Sequence, residues 1–326
     1  MRLKYLAIPL LGVATHSYAA LEPLSDEQME SAQGQAFIGL NEYDDAAQGL
    51  SFTRINLGME IDIFMNAKEA VFGEFYRDGE SGTADLDYAN YSMGYIDENR
   101  EIQPFKIIDP FFELAYEKNT NGTNDIIGFR MGFGDALGVL SMDASSFTGA
   151  IDVVIAGDFT YEICTQLFGC WEPFPATYAE AQSELVTMAG VKDPIRAEAI
   201  GISNGQPFNL FNIDWAVNNC ELLGTTLCYP LNTFESMMIG NADGTPSSGL
   251  FQSFQSKQVI WGNKDYGETP VTTQMGAFFS IPAGSVNITP NEAADGTPRL
   301  ATEFIDRGIG RFENSAYRTG GVLYPN

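Results

Sequence analysis

Three carboxylates and three indoles are the residues of this chain whose types suit catalysis. Asp109, Glu113 and Glu117 lie within nine positions of one another, and Trp171, Trp215 and Trp261 are the only tryptophans. Two acids roughly 5–10 Å apart can hydrolyse a glycosidic bond without histidine, and indole rings stack on sugar faces. That reading is weighed against the abundance of acids, because a chain with 43 Asp and Glu offers many such pairs by chance. Asp44 and Asp45 in the run Asn41–Asp45, and Asp85 with Asp87, are the calcium candidates, since calcium takes carboxylate and carbonyl oxygens. Neither group has the spacing of a helix–loop–helix calcium site, and a solvated acidic face is the plainer expectation. Apart from calcium, no cofactor is expected. Gly128, Gly132 and Gly134 lie in a strand-like run, not in the strand–loop–helix setting of a phosphate-binding loop.

Histidine narrows the chemistry further. The single His16 lies in the opening segment MRLKYLAIPLLGVATHSYAA. Arg2 and Lys4 there precede an apolar centre, and Ser17-Tyr18-Ala19 supplies small residues, which predicts a secretory signal over residues 1–19. A chain cut after Ala19 keeps no imidazole. Ser-His-Asp and Cys-His hydrolysis and His-ligated zinc, copper or haem are then excluded. No Cys follows the apolar centre, so no lipid anchor is expected, and no run reaches the ~20 apolar residues of a transmembrane helix. Losing Arg2 and Lys4 takes the net charge from −26 to −28. Such a chain repels nucleic acid and anionic lipid.

Cys164, Cys170, Cys220 and Cys228 make an even set, which in an exported chain reads as disulfides. Their spacing favours Cys164–Cys170 and Cys220–Cys228, with crossed pairings left open.

The elements that would position these groups are mostly strands. Pro104–Ala156 is the densest apolar stretch, cut by Asn119–Asn124, Gly134, Gly138 and Gly149, and Ile127, Phe129, Met131 and Phe133 alternate along it. Alternation of period two between turn residues predicts strands with one buried face. Ser51–Met65 repeats the pattern with Ile55, Leu57, Met59, Ile61 and Ile63. Further strands are expected at 36–40, 72–76, 92–96, 102–108, 259–261, 275–281 and 285–288, and an acidic loop at 78–91. Two helices are expected. One is short, capped by Ser25 with Gln28 and ended by Gly34. The other spans Thr177–Ala189, where Tyr178, Ala181, Leu185 and Met188 fall at helical spacing before Gly190.

The LSDEQM…GQA pattern at Leu24–Ala36, and the run DPFFELAYE…SFTGAI at Asp109–Ile151, resemble exported gammaproteobacterial surface proteins of the Fil pilus-system type. The resemblance covers about 60 residues and stops at the cysteine-bearing segment. It implies an exported surface β-protein and brings no catalytic residue with it.

The sequence therefore predicts a mainly β protein, an elongated antiparallel sandwich or solenoid-like sheet with a helix-containing, disulfide-stapled insertion. Its expected parts are the signal at 1–19, a β-rich region at 20–159, the insertion at 160–235 and a C-terminal β region with a tail at 236–326. The function expected first is non-enzymatic: a cell-surface or extracellular structural, adhesion or assembly protein that contacts other surface proteins or itself. The alternatives are a carbohydrate-active or sugar-binding protein and an outer-membrane-associated factor for lipid or another apolar ligand. An integral outer-membrane barrel fits less well, because the expected strands are short and irregular.

Overall fold

The chain is described from a computed structural model. It describes residues 37–77, 84–96, 101–119, 122–159, 164–165, 169–170, 177–192, 195–210, 213–222, 225–231 and 236–287. The expected N-terminal helix and Trp171 lie outside them.

Fourteen strands make one sheet: β1 (Phe37–Asp45), β2 (Leu50–Gly58), β3 (Glu60–Ile63), β4 (Met65–Phe72), β5 (Leu86–Met93), β6 (Phe105–Lys118), β7 (Asn124–Phe147), β8 (Gly149–Phe159), β9 (Thr177–Val186), β10 (Ala199–Gly201), β11 (Cys228–Pro230), β12 (Ser236–Ile239), β13 (Phe251–Gln255) and β14 (Gly276–Asn287). The mainly β class read from the alternation is the class observed. Strands from all three expected regions share this sheet.

β7 is the spine. Along one edge its first half pairs with β6 and its second with β5. Along the other it pairs with β13 and then with β12. These two lead to β14, and β14 pairs with β8 in parallel. Yet β8 follows β7 after Thr148 alone, so the chain turns a corner there and returns on the far side of β14. The corner is held by Thr148 N–H on the Asp85 carbonyl (2.8 Å) and Phe279 N–H on the Thr148 carbonyl (3.1 Å). Gly149 permits it: a Cβ there would lie 2.0 Å from the Phe279 carbonyl oxygen and 2.5 Å from the Phe147 ring.

The curled sheet encloses a main core that includes Leu86, Tyr88, Phe105, Leu140, Phe147 and Ile281. A second core of Leu50, Phe52, Ala115, Ile127, Phe251, Trp261 and Phe278 covers the opposite face. Its roof is a hairpin of Val259–Trp261 paired with Val271–Thr273. β6 and β7 change cores midway. Asp109 takes a left-handed φ of 49°, and odd-numbered residues before it (Phe105, Ile107) enter the main core while Phe111 and Ala115 after it are buried with Trp261 and Arg130 or in the second core.

Several expectations are corrected. Gly134 and Gly138 do not cut the chain, since β7 runs through both; Ser51–Met65 is divided among β2, β3 and the start of β4; and residues 73–77 are not strand, the strand there being Met65–Phe72. Thr177–Ala189 is not a helix: β9 runs antiparallel to β8, with Val153 opposite Ser183, and also to β10. The same residues carry a second period, Thr177, Ala179, Ala181, Ser183 and Leu185 against Tyr178, Glu180, Gln182 and Glu184. Open edges on β8 and β10 select it, because pairing outweighs the few tenths of a kcal/mol per residue of helix propensity. Residues 86–91 are likewise strand, not loop, since Leu86 and Tyr88 are buried against β7.

Cys220 and Cys228 form a disulfide, the adjacent pairing that their spacing favours. Cys164 and Cys170 are directly opposed across a small ribbon.

Gly149→Ala is expected to lower stability by about 2–3 kcal/mol, the cost of forcing atoms into a filled site. Urea unfolding checks this through a lower midpoint at unchanged slope. An unchanged midpoint would show that the corner has slack.

Candidate functional site

The most concentrated chemistry lies beneath the hairpin roof, where strand register lines charges up across the sheet. Arg54 on β2 is opposite Glu113 on β6, Glu113 is opposite Arg130 on β7, and Arg130 is opposite Ser253 on β13. Antiparallel partners project to the same face, so the row reads plus, minus, plus. Glu113 and Arg130 are fully buried in effect, at 0% and 2% exposure.

The fourth charge comes from the roof. Glu268 accepts from Arg130 Nη2 at 3.0 Å and from Arg54 Nη1 at 2.8 Å, and its Oε2 also accepts the Asn263 N–H at 3.0 Å. Beneath it, Glu113 Oε2 accepts from Arg130 Nε at 2.8 Å and Oε1 from the Tyr43 hydroxyl at 2.9 Å. Two arginines and two glutamates thus cancel.

Aromatic rings wall the guanidinium groups. Arg54 lies 3.5 Å above the Phe111 ring, and Arg130 is 4.8 Å from Phe111 and 5.5 Å from Trp261. Such stacking suits arginine because its planar, weakly hydrated cation packs on π faces. Room for the rings comes from glycine on either side of Arg130. A Cβ on Gly128 would sit 2.8 Å from Trp261 Cζ2, and one on Gly132 would sit 2.4 Å from Phe111 Cζ.

Burial raises the Tyr43 hydroxyl far above its ordinary range, with the Glu113 charge adding to the effect, so it stays a donor. Burial works against the charge on Glu268, but Arg130 and Arg54 outweigh it and hold the carboxyl below its ordinary 4.5.

Beside this row lies a cavity of about 350 Å³. Its floor is the next row of the sheet, Phe251, Ser280 and Ala150. Tyr266 and Val271 roof it, and Arg54, Arg130 and Glu268 line it.

The carboxylates and indoles expected to work together do not converge. Glu113 has both oxygens engaged. Glu117 is at the surface with Lys257 at 2.7 Å, and Asp109 is exposed at the strand kink. Trp261 is fully buried, and Trp215 packs against the main core.

The calcium candidates are likewise dispersed. Asp44 accepts from Ser51 Oγ (2.5 Å) and Lys118 (3.0 Å), which hold its carboxyl below the usual range. Asp45 caps the β1–β2 turn by accepting from the Ala47 N–H and the Gln48 side chain. Asp85 is buried and bound by Arg77 (2.9 Å), Arg196 (3.1 Å) and the Ala277 N–H (3.0 Å). Asp87 is half-buried on β5. Among the described residues no three His, Cys, Asp or Glu side chains gather as metal ligands.

Sequence reasoning missed Arg54, Arg130 and Glu268. The signal for Arg130 was present: an arginine between two glycines at i±2, inside an otherwise apolar alternation.

Another group of residues is exposed although apolar. On the opposite face of the same strands, Leu40, Ile55, Phe112 and Met131 are successive partners in one row, 63%, 37%, 37% and 37% exposed. Ile38, on the same face of β1, is 67% exposed.

No known family, curated protein or solved structure matches this chain.

Arg130→Met is expected to cost about 3–5 kcal/mol, because it leaves Glu113 buried without its cation. The double variant Glu113→Leu/Arg130→Met should lose far less than the sum of the single changes, which a double-mutant cycle measures directly. Additive losses would show the pair uncoupled.

The lowered Glu268 carboxyl adds stability that is present above its unfolded value and lost as pH falls through its folded value. The stability gap between wild type and Glu268→Gln should therefore narrow as pH falls below about 4.5. A gap independent of pH would exclude that linkage.

Proposed function

We propose that this chain is an exported, non-enzymatic assembly protein of the cell surface or extracellular space, working through contacts with other proteins. The exposed apolar row of Leu40, Ile55, Phe112 and Met131 carries the reading. Side chains of this kind in one continuous row mark interaction surfaces, because water-exposed apolar patches are otherwise kept small. The row ends at β1, whose only partner among the described residues is β2. The resemblance at Leu24–Ala36 and Asp109–Ile151 points the same way.

A second reading, a factor for a small apolar ligand at the outer membrane, is favoured by the cavity under Tyr266 and Val271. Its volume falls within the roughly 300–1,000 Å³ of ligand pockets. A rise in melting temperature with laurate, absent with a disaccharide, would favour it.

The assembly reading is tested on intact cells of the native host. Wild-type chain should be protease-accessible and should sediment with high-mass material. Phe112→Lys/Met131→Lys should fold normally yet leave that material, with at least a tenfold loss of association, about 1.4 kcal/mol. A wild-type chain recovered as a periplasmic monomer would overturn the proposal.

A further inference from the structure

We infer that two copies of this chain join through β1, antiparallel and centred on Leu40, so that the sheet continues across a twofold axis perpendicular to it. The inference rests on the assembly reading above and names its partner as a second copy.

The edge itself comes first. Proteins blunt free sheet edges with charged side chains, proline, bulges or short strands. β1 has no proline or bulge, is nine residues long, and leaves its first half, Phe37–Asn41, without a charge. Its nine residues, FIGLNEYDD, pair with β2 in unbroken register from Phe37 opposite Gly58 to Asp45 opposite Leu50. Among its described side chains, Ile38 and Leu40 are the exposed apolar ones.

The charge pattern then selects the arrangement. Every carboxylate of β1 lies in its second half, at Glu42, Asp44 and Asp45. A parallel, in-register pair would set each against its own copy, and like charges directly opposed are destabilising. An antiparallel pair avoids this.

Register follows from the faces. Side chains alternate along a strand, so the apolar rows of both copies stay on one side only if even-numbered residues oppose even-numbered ones. Centring on Glu42 would put two carboxylates face to face. Centring on Asn41 would set Leu40 against Glu42 of the second copy and Ile38 against its Asp44. Centring on Gly39 would carry every carboxylate beyond the second copy's Phe37 but would pair only residues 37–41. Centring on Leu40 pairs residues 37–43 and sets leucine against leucine, with Ile38 opposite Glu42, and leaves Asp44 and Asp45 beyond the second copy's Phe37. The row of Leu40, Ile55, Phe112 and Met131 then runs straight into its own image, doubling in length. A different, basic strand would be drawn to the acidic half of β1 but would not extend this row.

Each copy carries a large negative charge, −26 for the whole chain, so joining brings like charges together. Association should therefore strengthen as salt rises, because screening acts over ~8 Å at physiological ionic strength.

The test introduces Leu40→Cys or Glu42→Cys into the full chain, with mild oxidation and cross-linked peptides identified by mass. Directly opposed residues lie about 4.5–5.5 Å apart at Cα, within the roughly 4.4–6.8 Å of a disulfide. In the proposed register the two Glu42 positions are offset by four residues, about 13 Å along the strands. Leu40→Cys should thus cross-link to itself at least about tenfold faster than Glu42→Cys, and wild-type chain should sediment as a dimer that tightens with salt. Equal rates, or a faster Glu42→Cys, would overturn the register. Should wild type stay monomeric in solution while Phe112→Lys/Met131→Lys still leaves the high-mass material, the second-copy inference fails and the assembly reading stands. A monomer that neither change affects on cells would remove both.

Discussion

The face of this sheet beneath the hairpin roof depends on neutralising Arg130, which is buried at 2% exposure. A guanidinium buried without partners is costly, so Glu113 and Glu268 must both be in place. Glu113 arrives by strand register and Glu268 by closure of the hairpin roof. The sheet and its cover are therefore joined by a charge requirement as well as by apolar contact. That requirement also fixes which face is which. With Arg130 beneath the roof, the alternation places Phe129 and Met131 on the face that carries the main core farther across the sheet, and the apolar row from Met131 to Leu40 is the part of that face left exposed.

Asp85 plays a comparable part at the other end of the sheet. Its carboxylate receives Arg77, Arg196 and the Ala277 N–H, linking the stretch before β5 to the start of β14. Arg196 holds a left-handed φ of 53° in this position. The corner at Thr148 lies between, bonded to the Asp85 carbonyl and, through its hydroxyl, to the Arg196 N–H at 2.8 Å. Buried ions thus stand at the two places where the sheet changes direction or cover.

Strand identity was legible wherever alternation was strong, as in β2, β7 and β14. The direction of the faces was not. Ile55 and Met131 read as a buried side because they are apolar, yet they are exposed, since a buried arginine with two carboxylates claims the opposite face. A bulge adds to this: Ala115 pairs with Gly128 but Tyr116 with Ile126, which leaves Ile127 as an extra residue and sends it inward. One residue of offset separates Ile127 from the rest of its apparent series. The misread helix at Thr177–Ala189 had both periods, and only the vacant edges of β8 and β10 decide between them. Among the site residues, Glu113 stood out for its carboxylate, but its neighbours come from β1, β2, β7 and the roof. Spacing along the chain cannot bring those together on the page.

The corner at Thr148 also sets an order of events. β8 sits beside β14 in parallel, and β14 is the last of the described strands to leave the ribosome. Strands β7 and β8 can exist early, but the face between them stays open until residues 276–287 arrive. Pairings this distant in sequence are slow to form. The face between them therefore closes only after residues 276–287 have emerged, and a chain still waiting for β14 threads through a narrow channel more easily than the finished sheet would.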